Sequence, residues 1–228
     1  MTTTAPAAEW TREATRLFRR YEREVVEAYG LCPWSTPARR AGKVRERILL
    51  QTDADVTPSI QAMAELAKEA AVEVAVLIYP RMTLTPPELD AFVANVRNVD
   101  AAIHPLGAIP FAMAAFHPHS PIDRLQPERL IPFLRRTPDP TIQIVRSSAL
   151  DRVRSGTPQG TSFVSAGTLD FAALVQPPPP LRERIARANL EKVDAVGIDE
   201  VTRRLDDIRR DRDMTYARLS DPTQDRIA

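Results

Sequence analysis

Val72-Glu73-Val74-Ala75-Val76-Leu77-Ile78-Tyr79 is the stretch whose reading decides the fold. It is almost wholly apolar and rich in β-branched residues, the pattern of a strand covered on both faces. Upstream of it, Val44–Gln51 reads as another strand. Thr57-Pro58 then opens a helix to about Ala70, with Thr57 as cap and Pro58 at the first helical position. Downstream, Thr85-Pro86-Pro87-Glu88 is a capping box, and its helix runs to about Asn98. Ile109–Phe116 is a third strand, Pro127–Arg135 a shorter helix and Thr141–Arg146 a fourth strand. Ahead of these, Trp10, Ala14, Leu17, Phe18, Tyr21, Val25 and Ala28 recur at helical spacing over residues 9–29, and Gly30 is a reasonable stop.

This alternation predicts an α/β (or α+β) fold. The sheet has four to five strands, is at least partly parallel and is covered by helices, with an N-terminal helix and a C-terminal helical extension. Pairing direction is not carried by one sequence, so antiparallel pairs stay open. Residues 155–167 read as a glycine-containing loop or a short edge strand. The expected organisation is a single domain over 9–175, a proline spacer over 176–180 and a charged helical extension over 181–228. In the extension a thin stripe of Val201, Leu205 and Ile208 suits either a salt-bridged helix packed on one side or docking to a partner.

Composition narrows the function classes. The 228 residues hold 31 basic and 30 acidic groups, a net charge of +1, which gives no pull toward nucleic acid or an anionic membrane. The longest apolar run, 108–116, is far short of the roughly 20 residues a bilayer helix needs. The opening MTTTAPAAEW has no basic or apolar region of a secretory signal, and a single cysteine fits a reducing cytoplasm. All but three of the basic residues (Lys43, Lys68 and Lys192) are arginine, so an individual arginine needs extra support before it counts as a ligand. With 21 prolines against 7 glycines, loops are stiff.

The three histidines, His104, His117 and His119, crowd into one short region. With Asp123 or Cys32 they form the conceivable metal set, but no ligand spacing supports it and no metal is expected. The plainer reading makes His117 a buried, hydrogen-bonded histidine at a strand end. Cys32 follows a helix carboxyl end, where the dipole does not favour a thiolate, and reads as a small buried hydrophobe unless His117 or an arginine lies beside it. Its Cys-Pro dipeptide also suits haem ligation. Arg146, closing an apolar strand, is placed to bind a carboxylate or phosphate bidentately, or else to pair with Asp139 or Asp151. Ser155–Ser162 lacks the lysine and strand-to-helix setting of a P-loop.

Three segments in order carry a resemblance: Tyr29-Gly30-Leu31-Cys32-Pro33-Trp34, Ala115-Phe116-His117-Pro118, and Arg136-Thr137-Pro138-Asp139-Pro140 leading to Arg146. Together they resemble a bacterial and plant family of unknown function, numbered 1415, over roughly residues 15–155. The resemblance implies that Cys32, His117 and Arg146 occupy the family's recurring polar positions; it implies no activity.

Two functional readings follow. In the first, the protein is a cytoplasmic accessory protein that binds a ligand or peptide, serving a biosynthetic pathway without a cofactor. Its rim pocket has His117 and Arg146 as polar anchors and Trp34 and Phe116 as apolar walls, and it holds a small carboxylate or a peptide segment. Residues 181–219 then serve a protein partner or a homodimer mate. In the second, it is an enzyme in which Cys32 and His117 form a nucleophile–base or redox pair, or in which histidines hold zinc, iron or haem. The first requires His117 and Arg146 to open into one hollow.

Overall fold

The computed structural model describes residues 5–32, 35–104, 109–123, 125, 127–155 and 181–220. Within them β1 (Val44–Ile48), β2 (Val74–Ile78), β3 (Phe111–Phe116) and β4 (Thr141–Arg146) form one mixed sheet in the order β1-β2-β4-β3. β1 and β2 are parallel, while β4 is antiparallel to both of its neighbours, β2 and β3. The fold is therefore α+β. The segment that reads as one buried strand is β2: Ala75 to Ile78 are all buried, Ala75 and Leu77 toward one face and Val76 and Ile78 toward the other.

The helices sort onto those two faces. α3 (Thr57–Lys68) and α4 (Pro86–Ile103) cover the first, where Met63, Leu66, Leu89, Phe92 and Val96 pack on Leu77, Tyr79, Ile142 and Ile144. The second is covered by α1 (Ala7–Tyr21), which continues into a π-helical segment (Glu22–Glu27), and by α5 (Pro127–Leu134), α7 (Leu181–Val196) and α8 (Ile198–Ser220). Two short helices, α2 (Ser35–Arg40) and α6 (Ser147–Ser155), complete the set. No helix among the described residues is long and apolar enough to cross a membrane.

Local chemistry sets the boundaries. The Thr85–Glu88 box forms reciprocally: the Thr85 amide donates to Glu88 Oε2 at 2.7 Å and the Glu88 amide to Thr85 Oγ1 at 3.4 Å. α3 differs from expectation, because Thr57 is its first residue and Asp55 Oδ1 accepts both the Thr57 amide (2.9 Å) and hydroxyl (2.8 Å). Gly30 sits at φ 59°, the left-handed conformation that closes the first helical stretch. Residues 156–180, with the expected edge strand and the proline spacer, lie outside the described residues. Beyond them the charged extension is part of the core. Val193, Val201, Leu205 and Ile208 are buried with Phe18, Tyr21 and Phe133, so the thin apolar stripe is satisfied within the chain.

Candidate functional site

Strand direction decides what can meet. β1, β2 and β3 run the same way and end at one rim, beside Tyr79 and His117. β4 runs against them, so its first residue, Thr141, lies at that rim opposite Phe116. Arg146 pairs with Phe111 at the other end. A strand of this length spans about 17 Å. The expected hollow shared by His117 and Arg146 is therefore not formed, for the simple reason that the fourth strand is reversed.

Each of those residues has a structural task instead. Arg146 Nε donates to the Val72 carbonyl at 2.7 Å, and Nη2 to those of Glu69 (3.0 Å), Leu66 (3.2 Å) and Ala67 (3.4 Å), while its guanidinium stacks 5.0 Å from Phe111. It thereby takes up carbonyls left over at the end of α3, in place of the expected pairing with Asp139 or Asp151. His117 is buried. Its Nδ1 accepts the His119 amide at 3.0 Å, which places the hydrogen on Nε2, 2.7 Å from the Leu84 carbonyl. Both ring nitrogens are thus committed to backbone groups, and neither is left for a metal or for the Cys32 thiol.

The remaining candidates disperse. His104 lies 3.4 Å from Asp100 on α4, and Asp123 accepts from the Leu125 amide and Arg129. Among the described residues no three His, Cys, Asp or Glu side chains cluster as a metal site would. Cys32 is half-buried in the helical layer near Tyr21, whose phenol is pushed up by burial and whose hydroxyl donates to the Leu134 carbonyl at 2.7 Å. Phe116 turns toward that layer, with the Arg135 guanidinium 5.0 Å from its ring centre. Trp34 lies outside the described residues.

Burial pushes the His117 imidazole below its ordinary 6.5. A depressed histidine is stabilising while neutral, and that contribution is lost as pH falls through 6.5, where the unfolded chain binds the proton first. We therefore expect chemical denaturation at pH 7.5 and 5.5 to show a smaller pH penalty in His117→Gln than in the parent. An equal penalty would mean that His117 is exposed in solution.

What the fold does assemble at this rim was not legible beforehand. Arg136, in the loop before β4, donates from Nε to the Ser120 carbonyl at 2.6 Å and stacks 4.9 Å from Phe133. α8 brings Arg209 to 3.5 Å from His119 Nδ1. It also brings Arg212 and Tyr216 onto Asp139, which is 1% exposed: Arg212 Nε donates to Oδ1 at 3.0 Å and Tyr216 to Oδ2 at 2.7 Å. Burial holds the Asp139 carboxyl above the usual range against the pull of both partners. Thr137 and Thr141 both donate to the Asp139 carbonyl, fixing the turn.

At this rim His119, Arg136 and Arg209 thus form a cluster, with Arg212 one turn further along the helix that carries Arg209. Arg209 is paired with Asp206 at 2.9 Å, and Arg212 with Asp139 and Asp213. Arg136 is half-buried and makes no ion pair with a described carboxylate. Burial, with the like charge of Arg209, pulls its pKa down, Asp206 acting against them. His119 is lowered by burial first and then by Arg209, His117, Arg136 and Arg212. With Arg209 and Arg212 matched by carboxylates and His119 held toward its neutral form, Arg136 is the guanidinium of this cluster without a partner among the described carboxylates, and its fork suits a carboxylate or phosphate oxygen pair.

No curated protein and no solved structure matches the chain. One family profile does, over residues 13–166, a span that takes in Cys32, His117, Asp139 and Arg146, and is described as Protein of unknown function (DUF1415). With well over half of its length matched, the chain belongs to that family.

Proposed function

We propose that this protein is a ligand-binding accessory protein whose site is the cluster around Arg136 at the β3–β4 rim, and that it holds the carboxylate of a small molecule or peptide segment. The observation that carries this reading is Arg136. Its guanidinium is oriented by Ser120 and Phe133, is half-buried, and has no carboxylate partner of its own among the described residues. An aligned, unpaired fork of this kind loses little freedom when a carboxylate docks on it. His119 and Arg209 offer further hydrogen-bond donors beside it, Arg209 being matched by Asp206, and Arg212 is held in place by Asp139.

The reading keeps the rim and the ligand class expected from sequence and moves the anchor from Arg146 to Arg136. It is tested by titrating the protein with succinate and with succinamide, its uncharged diamide. The acid binds and the diamide does not, and Arg136→Ala weakens the acid by about tenfold or more, the usual scale for a lost charge-assisted bond. Equal behaviour of acid and diamide, or an unchanged affinity in Arg136→Ala, would remove the proposal.

A further inference from the structure

The two edges of the sheet are protected very differently. β1 carries Arg45, Glu46 and Arg47 in succession, bound to Glu69 and Arg19, and an edge so charged resists pairing with another strand. β3 reads Phe-Ala-Met-Ala-Ala-Phe, with no charge and no proline, and only Phe111 of its six residues is buried. Among the described residues nothing pairs with its outer edge. Ala112 is exposed, and Ala112, Ala114 and Ala115 put little side-chain bulk along the strand. The strand runs directly to His117 and His119, and so toward Arg136, which is bound to the Ser120 carbonyl.

From this juxtaposition we infer that the ligand is the C-terminal segment of a polypeptide, added as an extended strand along β3 and parallel to it, with its terminal carboxylate on Arg136, His119 and Arg209. The inference rests on the proposed carboxylate site and deepens it. The edge supplies main-chain hydrogen bonds that are indifferent to sequence; Arg136 supplies direction, because an amidated or internal segment has no charge to place on it. Charge complementarity at one end of the strand selects a free C-terminus over a second copy of β3, whose own ends carry none.

The test uses the full chain and one capped pentapeptide of alternating valine and threonine. It is made in three forms: free acid, C-terminal amide, and free acid with alternate backbone amides N-methylated. Binding is followed by calorimetry and by hydrogen exchange of the β3 amides. The free acid is expected to bind and to slow exchange along β3, with the amide and the N-methylated acid each weaker by about tenfold. In Arg136→Ala the acid and the amide should bind alike. An N-methylated acid that binds as well as its parent overturns the strand addition and leaves the carboxylate site standing. Succinate failing to bind removes the carboxylate site itself. Strong protection of the β3 amides in the peptide-free protein also overturns the inference, since the edge would then be occupied by this chain.

Discussion

Asp139→Ala is expected to lower the free energy of unfolding by about 3–5 kcal/mol, the scale for removing one partner of a buried ion pair. The carboxylate is 1% exposed and binds two groups from a helix more than 70 residues away in the chain: Arg212 at 3.0 Å and Tyr216 at 2.7 Å. Without it the half-buried guanidinium keeps only the exposed Asp213, and the Tyr216 hydroxyl has lost its acceptor. The same change loosens the attachment of α8 to the strand layer, which is what carries Arg209 to this rim. Two further variants separate charge from shape. Asp139→Asn keeps an acceptor for Tyr216 and should lose less, while adding Arg212→Met to Asp139→Asn should recover part of the loss by removing a half-buried charge that has lost its buried partner. Acid should not mimic the substitution. Because burial holds the Asp139 carboxyl above its ordinary 3.8, the folded state takes up that proton more readily than the unfolded chain, so protonation there adds stability instead of removing it. Urea unfolding at pH 7 measures all three variants; a loss below about 1 kcal/mol in Asp139→Ala would show that the pair is solvated in solution.

The contrast between β2 and β4 explains how much of this was legible in the sequence. Val72–Tyr79 announces burial on both faces through composition alone, and Thr85 with Glu88 announces a helix start through chemistry three residues apart. Val201, Leu205 and Ile208 announce a buried stripe, though not which core it joins. Each of these signals is local. The direction of β4 is not, because Thr141–Arg146 has the same alternation read either way, and the eight residues of α5 between β3 and β4 can serve a reversed strand as well as a parallel one. That one unreadable choice moved Arg146 from the proposed pocket to the far rim. The cluster around Arg136 and Asp139 was hidden for a related reason. His119 with Arg209, and Asp139 with Arg212 and Tyr216, are separated by 73 to 90 positions. No periodicity links such residues, and in a chain so rich in arginine no single guanidinium stands out by type. His117 was readable as a satisfied strand-end histidine because a buried imidazole must find partners for both nitrogens.

Arg146 supplies the second large effect, and it separates architecture from ligand binding. Arg146→Ala should destabilise the protein by about 2–4 kcal/mol, since hydrogen bonds to a charged donor are worth about 1.5–3 kcal/mol and the guanidinium serves four carbonyls at once. Some of the loss is recovered by water reaching the last turn of α3, which keeps the total below the sum over bonds. The stacking on Phe111 is lost as well. Arg146→Lys should rescue less than half, because a compact ammonium lacks the planar fork that reaches Val72, Leu66 and Glu69 together. Hydrogen exchange should locate the damage in the last turn of α3 and the start of β2. If Arg146 is chiefly a tie of this kind, Arg146→Ala will unfold more easily yet bind succinate as the parent does at temperatures where both are folded. Arg136→Ala gives up a single carbonyl bond and the stack on Phe133, so it should lose less stability than Arg146→Ala while weakening succinate by about tenfold or more. An Arg146→Ala protein of unchanged stability and weakened succinate binding would return the anchor to the far rim, and with it the site that the sequence alone suggested.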